Sequence, residues 1–519
     1  MLVMLLAALL LGGAVPYVTG PGRAYLSYLV LADRQDAAGA ELAAGQTRAA
    51  GGRVVQQYPQ IGAALAYATG GFADRLRGRP GITAVGATRT APVASLPGSL
   101  DGAGDFRRIS AEGWAVAQSP PAGGSAERKR PAQDGADVAP AGRAAGSGAV
   151  GGWLGDGETS LPDPAEGADW NLAMIGAVAG PAAEGAGLLR SPAADRAVAS
   201  QQDLRQVLVA VLDSGVDDTH PDLRGAVDPA ASVSCADGRP DARSGAWRPD
   251  QGVNESGHGT HVAGIIGAVR DGRGVSGVAP GVRIAAVRLL GPLGQYYTEN
   301  IVCGLLWAAD HGARAVNDSY FADPWKYNCP EDQDQAALIR AVGRAVAYAQ
   351  RKGAVVVASA GNDAQDLGAA RTDRRSPNDR LTGPARNRTV GTECVRLPGE
   401  LPGVVTVGAV DRSGLPAAYT NFGGGRITLA APGGDPDGGA QGAIVSDWPG
   451  GQYVALAGTS MAAAHVTGAV AVAAAEHPGW SPGQLTALLT RLAAANCPYA
   501  IGACSDRQYF GAGVLALPR

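Results

Sequence analysis

Five short runs, Gln206 to Leu212, Val282 to Leu289, Ala313 to Asn317, Ala354 to Ser359 and Val404 to Val410, read as continuous apolar strands rather than as alternating ones. A strand that is apolar on both faces has to be covered on both faces, which is the condition of a parallel sheet sandwiched between helices. Apolar patterns of helical period fall between them, from Thr298 to His311 and from about Asp334 to Lys352. The predicted fold is therefore α/β, a mostly parallel central sheet flanked by helices.

The first part of the chain follows another rule. Tyr25 to Leu31, Gly52 to Tyr58, Ala63 to Ala68 and Gly81 to Val85 read as strands, with helical stretches from Gln35 to Ala50 and from Gly71 to Arg77. Strand, helix, two strands, helix, strand is the order of a small α+β open sandwich, placed at residues 25–95. Ahead of it, Met1 to Val15 is almost wholly apolar and is followed by Pro16. That reads as the core of an export signal (residues 1–24), too short for a comfortable membrane span. No basic residue precedes it, so an uncleaved anchor is the alternative. Residues 96–168 are dominated by Gly, Ala, Pro, Ser and Asp, a composition that cannot offset the entropy of ordering, and they are expected to form a disordered linker. Within it, Glu127-Arg128-Lys129-Arg130 is either a protease-sensitive cluster or a solvated charge run.

Residues 169–519 hold the chemistry. Val209-Ala210-Val211-Leu212-Asp213-Ser214-Gly215 ends an apolar strand on an aspartate, Gly257-His258-Gly259-Thr260-His261 opens a helix on a histidine, and Gly458-Thr459-Ser460-Met461-Ala462-Ala463-Ala464-His465 opens another on a serine. An acid, a base and a hydroxyl are the three side chains of an acyl-transfer site. The chain carries 43 basic and 47 acidic residues, for a net charge of -4, and has no basic field of the kind that binds nucleic acid.

These three segments, in the order Asp, His, Ser, resemble the subtilisin-like serine protease family, and the resemblance runs over roughly residues 169 to 519. Trp170-Asn171-Leu172-Ala173-Met174-Ile175 resembles the opening of the family's mature enzyme, and residues 25–95 look like its inhibitory propeptide. A small accessory domain is the plainer reading of that unit. The resemblance implies a serine endopeptidase with Ser460 as nucleophile, His258 as general base and Asp213 orienting the imidazole. It further implies a secreted zymogen that processes itself, acts as a monomer on extended polypeptides, and has its own propeptide as intramolecular inhibitor. His261, three residues beyond the base, is expected to face elsewhere. Ser359-Ala360-Gly361-Asn362-Asp363 looks like the family's Ala-Gly-Asn segment and carries the oxyanion-donor role onto Asn362. No stable membrane domain is expected, and the enzyme is either broad in specificity or dedicated to one precursor.

Substrate-binding positions implied by the same resemblance are Leu290, Gly291, Leu293, Ser319, Tyr320, Phe321, Ala360 and Gly361, with Ala358 to Gly361 flooring the primary pocket. Where the family commonly has Asn-Met-Ser-Leu-Gly, this chain has Asn317-Asp318-Ser319-Tyr320-Phe321, which puts bulk at the pocket rim and an acid that is expected to turn outward or pair with a charge. No acidic floor residue is apparent, which argues against strict basic specificity. Catalysis requires no cofactor. A structural calcium ion is implied for exported relatives, with Asp222 and Asp217 as ligands beside Asp218, although three acids equally suit a solvated loop. Among six cysteines, Cys497 with Cys504 and Cys329 with Cys394 are the expected pairs, and Cys303 reads as a buried thiol.

Overall fold

The computed structural model describes residues 25–91, 93, 169–178, 200–253, 256–291, 294–379, 387–496 and 506–517. The expected export signal, the linker and the Cys497 and Cys504 pair lie outside these residues.

Seven parallel strands form the central sheet: β5 (Leu208–Asp213), β6 (Val233–Ser234), β7 (Arg283–Arg288), β8 (Ala315–Asp318), β9 (Val355–Ser359), β12 (Val405–Val410) and β13 (Leu429–Pro432). Two antiparallel hairpins, β10 (Arg371–Asp373) with β11 (Arg388–Val390) and β14 (Ile444–Trp448) with β15 (Gln452–Leu456), lie outside it. The spatial order is β13-β12-β9-β8-β5-β7-β6. From β5 the chain builds to one side through β6 and β7, then crosses back to build the other side from β8. The order thus reverses beside β5, and in open α/β sheets the crevice at such a switch point is where ligands bind.

Each strand is buried on both faces, as its apolar run requires. Val209 and Val211 of β5, with Val355, Val357, Val405 and Val407, pack in one cluster with helix α3 (His258–Gly267), helix α6 (Thr459–Glu476) and helix α7 (Pro482–Ala495). Leu208, Ala210 and Leu212 face the other way, with Val356 and Ala358, onto helix α4 (Thr298–Asp310) and helix α5 (Gln333–Arg351). Helix α6 crosses the core with every residue from Thr459 to Ala474 buried, and its run of alanines lets the surrounding layers approach closely. Helix ends are set by local chemistry: the Asp332 carboxylate accepts from the Asp334 amide at 2.9 Å and the Gln335 amide at 3.0 Å.

The N-terminal unit comprises β1 (Tyr25–Ala32), α1 (Ala37–Ala49), β2 (Arg53–Tyr58), β3 (Ala63–Thr69), α2 (Phe72–Leu76) and β4 (Ile82–Ala87). Its strands pair antiparallel in the order β2-β3-β1-β4. One face packs Tyr28, Val30 and Ala66 against Ala43, Ala44 and Phe72 of its own helices. The opposite face contributes Leu29, Leu31 and Leu65 to the cluster formed by α4 and α5. Buried polar bonds pin the contact. Arg89 Nε lies 2.8 Å from Glu299 Oε1, which also accepts from Ser27 Oγ at 3.2 Å, and Tyr58 donates its hydroxyl to the Gly238 carbonyl at 2.6 Å.

Two disulfides are present among the described residues. Cys329 pairs with Cys394, as expected. Cys303 is not a thiol: it pairs with Cys235. The helical setting suggested a buried free cysteine, but the partner comes from the segment just after β6, which sequence spacing does not bring to α4. Because this bridge spans 68 residues, replacing both of its cysteines with serine should cost about 2–5 kcal/mol of stability, read as a lowered urea midpoint under non-reducing conditions. An unchanged midpoint would contradict a structural role.

Candidate active site

Asp213 is the last residue of β5 and is fully buried. Its Oδ1 accepts from the Ser214 amide at 2.7 Å, from Tyr296 Oη at 3.3 Å and from His258 Nδ1 at 2.8 Å, while Oδ2 lies 3.0 Å from the same imidazole nitrogen. A carboxylate accepts only, so His258 carries its proton on Nδ1 and turns Nε2 to the other side of the ring.

His258 stands at the start of α3, held there by close backbone contacts. The Gly259 amide donates to Ser214 Oγ at 2.9 Å, and Ser214 Oγ donates to the Ser256 carbonyl at 2.8 Å. A Cβ at Gly259 would fall 2.4 Å from the Gly215 carbonyl, and one at Gly257 would fall 2.4 Å from the Trp448 ring. Only glycine permits this seating of the helix start against the end of β5.

Ser460 sits in the first turn of α6 and is 5% exposed, with Oγ 3.3 Å from the Ser319 carbonyl. Ser319 Oγ reciprocates to the Ser460 carbonyl at 3.3 Å and accepts from Asn317 Nδ2 at 2.9 Å, while Thr467 Oγ1 donates to Asn317 Oδ1 at 2.9 Å. These bonds lock the serine turn onto the end of β8.

Asn362 follows β9. Its Oδ1 accepts from the Thr459 amide at 2.9 Å and from Thr459 Oγ1 at 2.7 Å. Because an amide N–H can only donate, the oxygen of Asn362 faces Thr459, and its Nδ2 lies on the other side of the side-chain amide, beside Gly458. The loop is shaped by Asn421, whose Nδ2 donates to the Ala360 carbonyl at 3.0 Å and whose Oδ1 accepts from the Asp363 and Gln365 amides at 3.1 and 3.0 Å.

The structure thus brings Asp213 and His258 into direct contact and places Ser460 and Asn362 on adjoining turns. The other core histidines do different work. His261 Nε2 lies 3.1 Å from the Ile444 carbonyl and 3.0 Å from the Val454 carbonyl, and burial, with His258 adding, lowers its pKa to about 3. His465 donates from Nδ1 to the Met461 carbonyl at 2.7 Å and meets Asn171 Nδ2 through Nε2 at 2.9 Å, and burial lowers it to about 4. Both are neutral structural groups near neutral pH.

Two backbone segments border the crevice. Leu290 and Gly291 are buried, with the Gly291 amide donating to the Gln295 carbonyl at 3.3 Å, and Leu293 lies outside the described residues. Residues 296 and 323 tie this segment to the one after β8: the Asp323 amide donates to the Tyr296 carbonyl at 2.9 Å, and Asp323 Oδ2 accepts the Tyr296 amide at 2.5 Å. Ala360 and Gly361 are buried at the end of β9, and Phe321 is half-buried.

Tyr320 does not add bulk to the rim. It is buried among the α4 and α5 side chains, stacks on Tyr296 with ring centroids 4.9 Å apart, and donates its hydroxyl to Asp318 Oδ1 at 2.5 Å. Asp318 accordingly neither turns outward nor meets a cation. It is fully buried, and its Oδ2 has no hydrogen-bond partner among the described residues. Position 318 pairs with Leu212 across the sheet, so its side chain must enter the apolar layer that Leu212 occupies. Burial raises its pKa to about 7, with the Tyr320 bond opposing and the charge of Asp213 adding.

The acidic loop after β5 does not gather into a cage. Asp217 Oδ1 accepts from Thr219, and its Oδ2 accepts the Gly450 amide at 2.9 Å. Against the effect of burial, these bonds hold Asp217 below the usual carboxylate range. Asp218 binds Trp247 Nε1 at 3.1 Å and Arg248 Nε at 2.5 Å. Asp222 Oδ2 accepts from the Val275 amide at 3.1 Å and from Tyr453 Oη at 3.0 Å. Asp217, Asp218 and Asp222 thus turn their carboxylates to three different sets of partners rather than to one another. Asp222 instead lies near His220 and Asp447.

Sequence reading missed Tyr296, Asn421 and Trp448, which lie against Asp213, Ala360 and Gly257 respectively. Each lies far along the chain from the residue it supports, in a segment without a motif; Ser214, adjacent to Asp213, carried the only local signal.

The family model described as the subtilase family matches residues 205–513, and the chain belongs to this family of serine proteases. Subtilisin BL of Lederbergia lenta is 32% identical over 281 residues, which cover 54% of this chain and 80% of that protein. Fervidolysin of Fervidobacterium pennivorans is 32% identical over 310 residues, 55% of this chain, but the matched part spans only 37% of its length. Among solved structures, the epidermin leader peptide processing serine protease of Staphylococcus aureus superposes with a TM-score of 0.61 at 20% identity, covering 95% of this chain and 97% of that one, which is a likeness of fold.

The raised pKa of Asp318 has a definite sign for stability. The folded protein keeps a proton that the unfolded chain releases near pH 4, so this group's contribution falls as pH rises from about 4 to about 7 and is level above that. Asp318→Asn should remove the fall. Urea unfolding at about pH 5 and about pH 8 should show the variant gaining on the parent by up to a few kcal/mol, each pKa unit being about 1.4 kcal/mol. Parallel pH dependences for the two proteins would contradict the buried, protonatable carboxyl.

Proposed function

We propose that the chain is a serine endopeptidase in which Ser460 is the nucleophile, His258 the general base, Asp213 its orienting partner and Asn362 a donor to the oxyanion. The observation that carries this reading is the bond from His258 Nδ1 to Asp213, which fixes the tautomer whose Nε2 can accept a proton. As Ser460 Oγ bonds to the scissile carbonyl carbon, its proton passes to His258 Nε2 and the carbonyl electrons move onto oxygen. Asn362 Nδ2 and the Ser460 amide in the first turn of α6 would donate to that oxygen. Collapse breaks the C–N bond, with the proton on Nε2 going to the leaving amine. Water then repeats the sequence on the acyl-enzyme, losing a proton to the same imidazole and releasing the acid.

The substrate would lie extended between the 290–297 and 319–323 segments, in the manner of an added strand. Residues 25–93 fit an intramolecular inhibitor, and their contacts support that role. The Arg89 guanidinium lies 3.9 Å from the centroid of Tyr297, and the Thr90 and Ala91 amides donate to Asp379 Oδ2 at 2.7 and 3.2 Å. Asp379 adjoins Asn378, which donates to Asp323 Oδ1 at 2.6 Å, so the end of the unit is led to the border of the crevice. An exported zymogen that cuts itself between this unit and Trp170 accounts for the arrangement, with the apolar start of the chain as its export signal. No helix among the described residues is long and apolar enough to cross a membrane.

Two measurements test the proposal. Ser460→Ala should leave a full-length chain with no peptide hydrolysis, whereas mass spectrometry of the parent should find a new amino terminus within residues 94–169. An intact parent, or a processed Ser460→Ala chain purified without other proteases, would contradict self-cleavage. Asn362→Ala should lower kcat by about 10²–10³ with KM little changed, the loss typical of one oxyanion donor; a change confined to KM would remove that role.

A further inference from the structure

The end of β9 rests on an arginine. Arg396 is 5% exposed, and its Nη1 donates to the Ser359 carbonyl, with Nη2 at 3.5 Å from Ser359 Oγ. Its Nε has no hydrogen-bond partner among the described residues. That nitrogen faces Gly361, where a Cβ would come within 3.3 Å of it, and the guanidinium carbon lies 5.9 Å from the centroid of the Phe321 ring. The next residue, Leu397, accepts the Ala322 amide at 3.1 Å through its carbonyl. Arg396 therefore sits where the segment after β8 and the end of β9 meet, one turn from Asn362.

Charge in this neighbourhood is not evenly matched. Lys326 pairs with Asp363, Arg371 with Glu400 at 2.6 Å, and Arg388 with Asp373. No carboxylate lies within ion-pair distance of the Arg396 guanidinium among the described residues, although Asp363 and Glu400 act on it from further away. Glu400 takes the Arg396 backbone amide at 2.8 Å rather than its side chain. A guanidinium stays charged in proteins, and a buried one without a carboxylate is a standing electrostatic cost that an incoming anion would relieve. Burial does push its pKa down, the expected mark of an undercompensated cation.

We infer that Arg396 makes the floor of the primary specificity pocket positive, so that the enzyme cleaves after an acidic residue, Glu or Asp, whose carboxylate pairs with Arg396. The inference rests on the peptidase reading above and adds the substrate class to it. Gly361, with a backbone φ of 105° and no side chain, lets the Arg396 Nε lie directly against the backbone there, and the Phe321 ring beside the guanidinium would serve as an apolar wall for the methylenes of a glutamate. The planar fork of arginine suits a carboxylate better than it suits any neutral side chain.

The test is a cleavage-site profile of the processed wild-type enzyme on a proteome-derived peptide library, followed by paired peptides differing only in Glu or Gln before the scissile bond. Acidic residues should dominate that position, and kcat/KM should favour Glu over Gln by about tenfold or more. Arg396→Gln should collapse this ratio towards unity, and Arg396→Lys should keep part of it. Because Arg396 is buried, the wild-type profile alone decides: dominance of Leu, Phe, Lys or Arg at that position, or equal rates for Glu and Gln, overturns the inference. Labelling by a small fluorophosphonate is run alongside. A labelled enzyme with a non-acidic profile refutes the pocket assignment only, whereas an enzyme that neither labels nor cleaves any peptide refutes the catalytic reading and the pocket with it.

Discussion

A carboxylate at the end of a central strand has no water to solvate it and must find its donors in the protein. Asp213 finds them in the Ser214 amide, the Tyr296 hydroxyl and the His258 imidazole. Each donor fixes a different piece of the molecule: the turn out of β5, the 290–297 segment on one border of the crevice, and the start of α3. The switch in strand order beside β5 opens the crevice, and this one buried charge dictates what stands at its edge. The apolar layers on both faces of the sheet then hold β5, β8 and β9 in register, so that Asn317, Ser319 and Asn362 can fasten the Ser460 turn opposite.

Much of this was legible in the chain because burial on both faces leaves a plain sequence pattern. The runs from 206 to 212 and from 404 to 410 match β5 and β12 to within about two residues, and the helical period of 298 to 311 matches α4. The four strands and two helices of residues 25 to 87 were legible for the same reason, since that small sheet is also apolar on both faces. What stayed hidden depends on contacts between distant segments. Cys303 sits in a helical pattern that carries no mark of Cys235, and Tyr296 carries no mark of Asp213. Asp318 was misjudged because an acid is expected at a surface or beside a cation; the alternation of the strand sends it into the apolar layer, where a tyrosine hydroxyl is the one hydrogen-bond partner of its carboxyl among the described residues.

The same burial that builds the core also gathers charge on one side of the crevice. Lys326, Arg371, Arg388 and Arg396 are brought together with Asp363, Asp373 and Glu400 behind the end of β9, and the Cys329 to Cys394 bridge ties two of the strands of chain that carry them. Such a network is costly to assemble and rigid once assembled. Its placement behind Ser359 to Asn362 keeps that loop from shifting, while the crossing helix α6 fixes Ser460 from the other side.

The central claim is that Ser460 is the reacting atom's carrier and that the geometry around it activates no other hydroxyl. Covalent labelling of the processed protein with a fluorophosphonate, followed by proteolysis and mass spectrometric mapping, tests this most directly. A single adduct on the peptide containing Ser460, lost when His258 is replaced by alanine, is the predicted result. An adduct on a different serine, or labelling of Ser460 that persists undiminished without His258, would contradict the account.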